Sequence, residues 1–540
     1  NLRGSLTFNK IVDHEQNHSI SASVIGELSS SRYTGFKIVK RGYIPDRGMI
    51  FDRIESMTDG NLYESYNTWL LSDDARGMMK DNLTNLVGLI GTFTYAYKNS
   101  YIFNVNGRID FSNKFGDASN DRLLPIWSLS GRWNMHENIL KRTEWIDRLA
   151  LKMSFGYQGN MSAQDSPRLI IQKGGMDNDF KEYSSKIKNY PNPNLKWEKT
   201  ATYNVDLEFS LFHNKINGSV GYYYRYTKDA FLSKKVSVVN GVEAYTVNAG
   251  NLRNQGYELL LNFVPVNTAT TVNGERRGFV WRFDPNFGSV FNQLIDKVKH
   301  KDRVLQDEVT FQDYLKGNVQ VAGRPINTFY SYRYEGLNPE NGAPLFYGTG
   351  ETVLINGEEK KTREVYGEME REEVWMTVME HSGCREPFLQ GSINNYFGWR
   401  NWGLSFNLAY SIGSKIRLFR LYPNQGSVVG PEKNLRRELV DRWRRPGDEL
   451  HTNVPGILTG MDWKYAAFPW WDGETYDFAS TLWDMYDYSN LRVVSGNYLK
   501  LSSISLRYVV PEVFCQKVGM KSLYINLSGT NLFTWCSRKL

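Results

Sequence analysis

The densest run of ligand-binding side chains lies between Met461 and Trp483, where Trp463, Tyr465, Phe468, Trp470, Trp471, Tyr476, Phe478 and Trp483 alternate with Asp462, Asp472 and Glu474. Flat rings offer apolar faces and carboxylates offer hydrogen-bond acceptors, a mixture that suits contact with a sugar or a peptide. Trp463, Trp470, Trp471, Tyr476 and Trp483 are therefore the candidate substrate contacts. The commoner use of clustered rings is to pack a loop on itself, and that reading stands beside the first. His381 and Cys384 have a metal-like spacing, but zinc wants three or four ligands and no third is near in sequence. Asp177 and Asp179 suit calcium, and suit a solvated acidic loop as well. There is no Gly-Lys pair for a phosphate loop, Gly348-Thr349-Gly350 lacks the third glycine of a dinucleotide fingerprint, and there is no G-x-S-x-G elbow. The seven histidines are scattered, apart from His14 and His18, which flank a turn. No catalytic residue, cofactor or metal is expected, and the chain reads as something other than an enzyme.

These side chains need a scaffold, and composition narrows it. Aromatic residues reach 14%, glycine is plentiful and the mean hydropathy is negative, which fits strands with only one apolar face. No window approaches the roughly 18 consecutive apolar residues of a membrane helix, but a transmembrane barrel needs only about 9–11 alternating residues per crossing. The net charge of +7 is spread along the chain, which gives no support for nucleic-acid binding. Three scattered cysteines cannot form a disulfide framework. The first residue is Asn1 and strand-like sequence follows at once, so the chain is expected to begin mid-domain, and the lack of a signal peptide is uninformative. No linker divides the 540 residues into separate cores.

From Tyr101 to Phe111 apolar and polar residues alternate strictly: Tyr101, Phe103, Val105, Ile109 and Phe111 on one face, Asn104, Asn106, Arg108 and Asp110 on the other. Period two means strand. The pattern recurs at Tyr203, Val205, Leu207 and Phe209 against Asn204, Asp206 and Glu208, and again in 216–226 and 404–412. Carrying Asn, Asp, Glu and Arg through strand centres requires water on that side and something apolar on the other. A barrel with an aqueous lumen supplies both. A soluble sandwich would show the same alternation with a core in place of lipid. Its functional counterpart is a secreted β-rich glycan-binding protein or a glycoside hydrolase, and an adhesin barrel without transport is a third reading.

Candidate strands fall at 2–9, 18–30, 85–97, 101–112, 124–134, 149–158, 195–211, 216–228, 252–265, 279–289, 386–397, 403–413, 498–509 and 521–533, about fourteen in all. Their connections alternate between tight turns (98–100, 213–215, 400–402) and long stretches (31–84, 159–194, 290–385, 414–497), the mark of outer-membrane barrels. Aromatics gather near strand ends, as at Tyr95, Tyr97, Tyr101, Phe397, Trp399 and Trp402, where rings settle at a lipid–water boundary or pack across strands. Arg442, Trp443 and Arg444 are expected to brace a short amphipathic helix.

Several blocks resemble the SusC/RagA class of TonB-dependent transporters: Asn192-Pro193-Asn194-Leu195-Lys196-Trp197-Glu198, Asn254-Gln255-Gly256-Tyr257-Glu258, Glu335-Gly336-Leu337-Asn338-Pro339-Glu340-Asn341-Gly342, Asp441-Arg442-Trp443 with Pro446-Gly447-Asp448, Ser495-Gly496-Asn497-Tyr498-Leu499-Lys500-Leu501 and Ser528-Gly529-Thr530-Asn531-Leu532-Phe533. They keep the family's order over nearly the whole chain. The resemblance implies an all-β transmembrane antiparallel barrel of 22 strands with a plug inside it. It also implies a SusD-like surface lipoprotein as lid, and energy from the TonB complex acting on a plug segment. Residues 1–540 would be the C-terminal part of that barrel, strands eight to twenty-one, with plug and first strands absent and the final strand apparently absent too, since Cys536 to Leu540 does not look like the family's ending. On this reading the protein sits in the bacterial outer membrane and imports an oligomeric nutrient, a glycan or a peptide. The long connections would be extracellular, and the short ones, including 511–519 and a helical turn near 138–148, periplasmic.

Overall fold

The computed structural model describes residues 1–40, 77–113, 126–160, 179–189, 198–235, 250–272, 275–297, 321–348, 357–369, 377–421, 435–457 and 482–536, with short pieces at 43–44, 46, 48–51, 170–176, 244–248 and 352–355. Fourteen of its strands form one wall in chain order: β1 (Leu2–Ile11), β2 (His18–Lys37), β3 (Met78–Tyr97), β4 (Tyr101–Ser112), β5 (Ile126–Asn134), β6 (Ile146–Asn160), β7 (Glu198–Leu211), β8 (Ile216–Lys228), β9 (Gly250–Asn267), β10 (Phe279–Gly288), β11 (Leu389–Trp399), β12 (Trp402–Ile412), β13 (Tyr498–Val509) and β14 (Tyr524–Cys536). Each pairs antiparallel with its sequence neighbour, an up-and-down meander with β1 and β14 at its edges. All fourteen strands expected from the alternation are present, three of them with the expected bounds.

The connections fall on two sides. Residues 12–17, 98–100, 135–145, 212–215, 268–278, 400–401 and 510–523 join strands at one end, and the remaining connections, the longest among them, lie at the other. The tight turns are built without glycine: Lys98 and Asn99 both take φ near +50°, the left-handed pair that a two-residue hairpin turn of matching twist requires.

Two strands outrun the expectation. β2 and β3 pair residue for residue from His18↔Tyr97 to Lys37↔Met78. Ser29-Ser30-Ser31 interrupts the alternation there, and the ribbon beyond is held by polar pairs instead, Arg32 with Asp81 at 2.5 Å and Ser30 donating to Asn85 at 2.8 Å. β10 also continues, after a bulge at Ser289, as Phe291–Lys297 against Gly250–Gln255. The bulge is fixed by the Ser289 N–H donating to the Tyr257 carbonyl and the Tyr257 N–H donating to Ser289 Oγ (2.9 and 2.8 Å). Only glycine fits opposite, because a Cβ on Gly256 would stand 1.9 Å from the Ser289 carbonyl oxygen. The helical turn expected near 138–148 is a single 3₁₀ turn at Met135–Glu137, since Ile146 to Arg148 are already paired with β7.

The apolar face of the wall is the exposed one. On β7, Tyr203, Val205 and Leu207 are 46%, 42% and 37% exposed, while Asn204, Asp206 and Glu208 between them are half-buried. The register carries this across strands, with Leu89↔Ile109, Val105↔Leu129, Leu151↔Leu207 and Leu207↔Val220 aligned in apolar rows. A soluble sandwich would cover these rows with a second layer. Rings mark both ends of the apolar band: Tyr101 on Trp133, Trp145 on Phe212 and Trp402 on Tyr508 toward the short turns, and Phe155 on Tyr203, Tyr222 on Tyr257 and Phe533 on Trp535 toward the long loops. Trp145 stands just before β6 and Tyr157 lies twelve residues further, near its loop end. At about 3.3 Å per residue and a tilt of about 40° they lie about 30 Å apart in height, the thickness of a bilayer's hydrocarbon.

Candidate functional site

The polar face carries its side chains in rows set by the same register. Thr94, Asn104, Ser130, Ser154 and Asn204 lie opposite one another from β3 to β7, and Thr92, Asn106, Ser128, Gly156 and Thr202 form the next row. Amides and hydroxyls bridge the strands: Thr94 Oγ1 donates to Asn104 Oδ1 (2.8 Å), Asn104 Nδ2 to Ser130 Oγ (3.3 Å), Asn204 Nδ2 to Ser154 Oγ (3.0 Å) and Asn106 Nδ2 to Ser128 Oγ (3.3 Å). Such cross-strand pairs contribute roughly 0.2–1 kcal/mol each.

Charged clusters flank this neutral belt on both sides and are neutralised internally. Toward the long loops, Arg108 meets Asp110 at 2.7 Å and Glu27 at 3.7 Å. Toward the short turns, Glu208 takes Arg132 on one oxygen at 3.1 Å and the Lys152 ammonium on the other. Between the clusters lies a hollow of about 350 Å³, lined among others by Ile90, Asn106, Arg108, Ser128, Ser154 and Thr202.

Above the wall, the two longest connections, between β10 and β11 and between β12 and β13, interlock into one small hydrophobic core. Tyr330, Tyr332, Phe346, Val378 and Met379 come from the first, and Leu421, Leu439, Met485 and Tyr486 from the second. The Tyr332 N–H donates to the Tyr488 carbonyl, and a parallel bridge joins Tyr332 to Ser489. Two arginines tie the loops together. Arg492, 4% exposed, meets Glu438 at 2.6 Å and donates to the Phe419 carbonyl. Arg417 lies between the Phe329 and Tyr488 rings and donates to the Tyr330 carbonyl (2.7 Å) and Ser331 Oγ (3.0 Å). Burial pushes its pKa down to about 10. Burial likewise pushes the Tyr366 and Tyr486 phenols up to about 12.

Two sequence blocks meet here. Gly342 takes φ +67°, and a Cβ on it would stand 2.3 Å from the Trp443 ring, so the Asn338–Gly342 turn closes against the face of Trp443. Trp443 Nε1 donates to Glu449 (3.1 Å). The helix expected around Arg442–Arg444 ends earlier, as a 3₁₀ turn at Arg437–Asp441, because the Trp443 N–H is drawn into pairing with the Val454 carbonyl.

Of the candidate substrate contacts, Trp463, Trp470, Trp471 and Tyr476 lie outside the described residues, as does Asp177. Trp483 is 5% exposed, packs with Ala343 and Leu482, and donates its indole N–H to the Gly456 carbonyl at 2.6 Å. His381 and Cys384 sit on one hairpin strand paired with Thr328–Tyr332. The Cys384 thiol donates to Glu386 (2.9 Å), and no group of three metal-binding side chains forms among the described residues. The chain also carries an H-E-x-x-H match, His14-Glu15-Gln16-Asn17-His18. Zinc chemistry needs that spacing on a helix, which aligns both imidazoles on one face. Here it is the β1–β2 turn: Asp13 accepts the Asn17 and His18 N–H groups (2.9 and 2.8 Å), and the His18 ring shares a hydrogen bond with Tyr95 Oη at 2.7 Å. Sequence reasoning missed the cross-strand belt as a unit, because its members are separated along the chain and only the register aligns them.

Known proteins agree with this geometry. A family model described as TonB dependent receptor-like, beta-barrel, matches residues 12–369. TonB-dependent receptor P3 of Formosa agariphila is 24% identical over 84% of the chain and 41% of its own length, and TonB-dependent receptor SusC of Bacteroides thetaiotaomicron is 28% identical over 48% of the chain and 26% of its own length. The chain thus spans less than half the length of these relatives. A solved structure of the RagAB peptide transporter superposes with a TM-score of 0.72 at 19% identity, over 99% of this chain and 52% of that one. An exposed apolar band between two rims of rings, a wet inner face and loops confined to one end are what that family builds in lipid, and the chain belongs to the TonB-dependent receptor-like β-barrels of the bacterial outer membrane.

Proposed function

We propose that the whole protein imports an oligomeric nutrient, a glycan or a peptide, across the outer membrane, and that it transports without catalysing a reaction. The observation that carries this reading is the two-faced wall: apolar rows exposed on one side, amides, hydroxyls and paired charges in register on the other. A conduit needs both surfaces, and an adhesin needs no hydrated inner face. The names of SusC and of the RagAB peptide transporter agree with it. A SusD-like lipoprotein closing over the interlocked loops and the TonB complex supplying energy complete the proposal. Trp463, Trp470, Trp471 and Tyr476 are proposed to meet the cargo, with Trp483 seating the base of their loop.

The test is uptake. Cells lacking the protein are expected to lose accumulation of one class of labelled oligosaccharide or oligopeptide, and to regain it on complementation. Unchanged accumulation of every class, with the protein confirmed in the outer membrane of the parent strain, overturns the reading.

A further inference from the structure

On the lipid-facing side of β7 to β9 the apolar band ends in a patch of cations. Lys199 and Lys228 lie directly opposite each other at the loop ends of β7 and β8, and both are exposed. They continue the rows that set Tyr203, Val205 and Leu207 against Tyr224, Tyr222 and Val220, so their side chains leave on the outer face. Arg253 joins them from β9, opposite Tyr226 on the same face. Among the described residues none of the three meets a carboxylate. The Lys228 ammonium lies over the Tyr226 ring at 6.0 Å, and Arg253 donates to the Gln293 side chain. The acids nearby are engaged elsewhere: Glu198 belongs to the inner face and accepts from Asn160 (3.2 Å), and Asp296 accepts from Asn251 (2.9 Å). Asp229 follows Lys228 where the chain leaves the strand at φ +55°. Two lysines opposed across a strand pair, with Cβ atoms about 5 Å apart, repel and lower stability. An anion shared between them reverses that sign.

Height selects the anion. Tyr157, Ala201, Tyr226 and Arg253 share one row, and Tyr157 marks the loop-side edge of the hydrocarbon. Lys199 stands two residues beyond Ala201, about 5 Å higher at 3.3 Å per residue and a tilt of about 40°. That is head-group depth, and on the side of the long loops the leaflet is the outer one. Beneath the cations the rings of Tyr157, Phe155, Tyr203 and Tyr224 follow one another at 5.5, 4.6 and 6.1 Å, a surface suited to the boundary between acyl chains and head groups. We infer that Lys199, Lys228 and Arg253 form a site for a phosphate of the lipid A-type glycolipid of the outer leaflet, the ammonium groups acting as point charges and the guanidinium as a forked donor. The patch lies in the middle of the wall, with paired strands on both flanks. The inference rests on the wall's place in the outer membrane and is independent of what the protein imports.

The test uses the whole protein, purified in detergent and freed of lipid, as wild type, Lys199→Gln/Lys228→Gln and Lys199→Arg/Lys228→Arg. Native mass spectrometry follows titration with bisphosphorylated lipid A, with the same lipid stripped of its phosphates, and with phosphatidylglycerol. Wild type is expected to bind lipid A about thirtyfold more tightly than the glutamine variant, from about fivefold for each lysine near an anionic surface. The arginine variant should stay close to wild type, and the difference should shrink as salt rises. The stripped lipid should bind all three proteins alike. Thermal unfolding of the lipid-free glutamine variant should hold or rise, since a repulsion has been removed; a fall would show that the protein itself holds the lysines and overturns the site. Equal lipid A affinity in wild type and the glutamine variant overturns it as well, as does a wild-type advantage that survives removal of the phosphates, or phosphatidylglycerol bound as tightly as lipid A. A dimer lost in the glutamine variant with lipid A binding unchanged would assign the patch to a second copy of the chain and overturns it too.

Discussion

The wall and the loop domain above it treat the same kinds of side chain in opposite ways. On β7, Val205 and Leu207 stand exposed while Asn204 and Glu208 are tucked inward. In the loop domain, Val378, Met379 and Met485 are 1% exposed or less, and the charges buried beside them are paired, as Arg492 is with Glu438. Hydrophobic burial is non-directional, so a fold cannot prefer both arrangements in one solvent. The difference teaches that the two regions face different media: hydrocarbon outside the wall, water around the loops. It also separates their stabilities, since the wall is held by backbone pairing that lipid makes obligatory and the loops by a packed core.

The largest expected effect breaks the loop side alone. Tyr332→Ala empties a buried site between the two loops and should cost that core about 3–5 kcal/mol. Trypsin added to intact cells should then cleave the loops, while the wall keeps its heat-modifiable migration on gels. Loss of that migration would mean the two regions fold as one, and the comparison would fail. On the wall the corresponding change is Leu207→Arg, expected to cost about 2–4 kcal/mol if the position lies near the bilayer midplane. Ser219→Arg, on the adjacent strand but the other face, lands opposite Glu208 in register and should stay within about 0.5 kcal/mol of wild type. Guanidinium unfolding in lipid vesicles reads both, and equal costs would remove the distinction between the faces. A smaller effect is expected of Gly342→Ala, about 1–2 kcal/mol for forcing an L-residue to φ +67°, with Trp443 pushed off the turn. Its signature is a red shift in tryptophan emission, and an unshifted spectrum would show that the turn accommodates a methyl group.

How much of this was legible beforehand follows the same division. The wall is written locally: Tyr101 to Ser112 alternates at period two, and every one of its strands pairs with the next in sequence, so reading strands one by one recovers the sheet. The errors fell where a polar ribbon replaces alternation, in Ser29 to Lys37, or where a bulge at Ser289 shifts the phase and a strand resumes. The loop domain is written non-locally. Nothing in Tyr330 and Tyr332 announces that Met485 and Tyr486 will cover them, because that core depends on contacts across two loops far apart in sequence. The same limit hid the belt around Thr202, whose members come from five strands. The motif blocks at Asn338–Gly342 and Asp441–Trp443 were visible as resemblance, but the steric reason they belong together, a glycine facing an indole, appears only in three dimensions.

The smallest effect sharpens the comparison by asking how dry the loop domain is. Burial, and after it the Glu386 carboxylate that accepts its hydrogen bond, pushes the Cys384 thiol up to about 11. The thiolate is the reactive form, so alkylation is a readout of that shift. With Cys515 and Cys536 replaced by serine, iodoacetamide should label the folded protein slowly at pH 8–9, its rate rising toward a midpoint near pH 11, whereas the unfolded chain should reach its midpoint near the ordinary thiol value of about 8.5. Because the folded pKa is the higher one, this group's contribution to stability is complete below the unfolded value and is lost as pH climbs from there to about 11. Glu386→Gln should lower the midpoint only modestly, since desolvation is the larger cause. A folded midpoint near that of the unfolded chain would mean that water reaches Cys384 freely. The hairpin beneath the interlocked loops would then be wet, and the contrast between a watertight loop core and a lipid-facing wall would have to be redrawn at that edge.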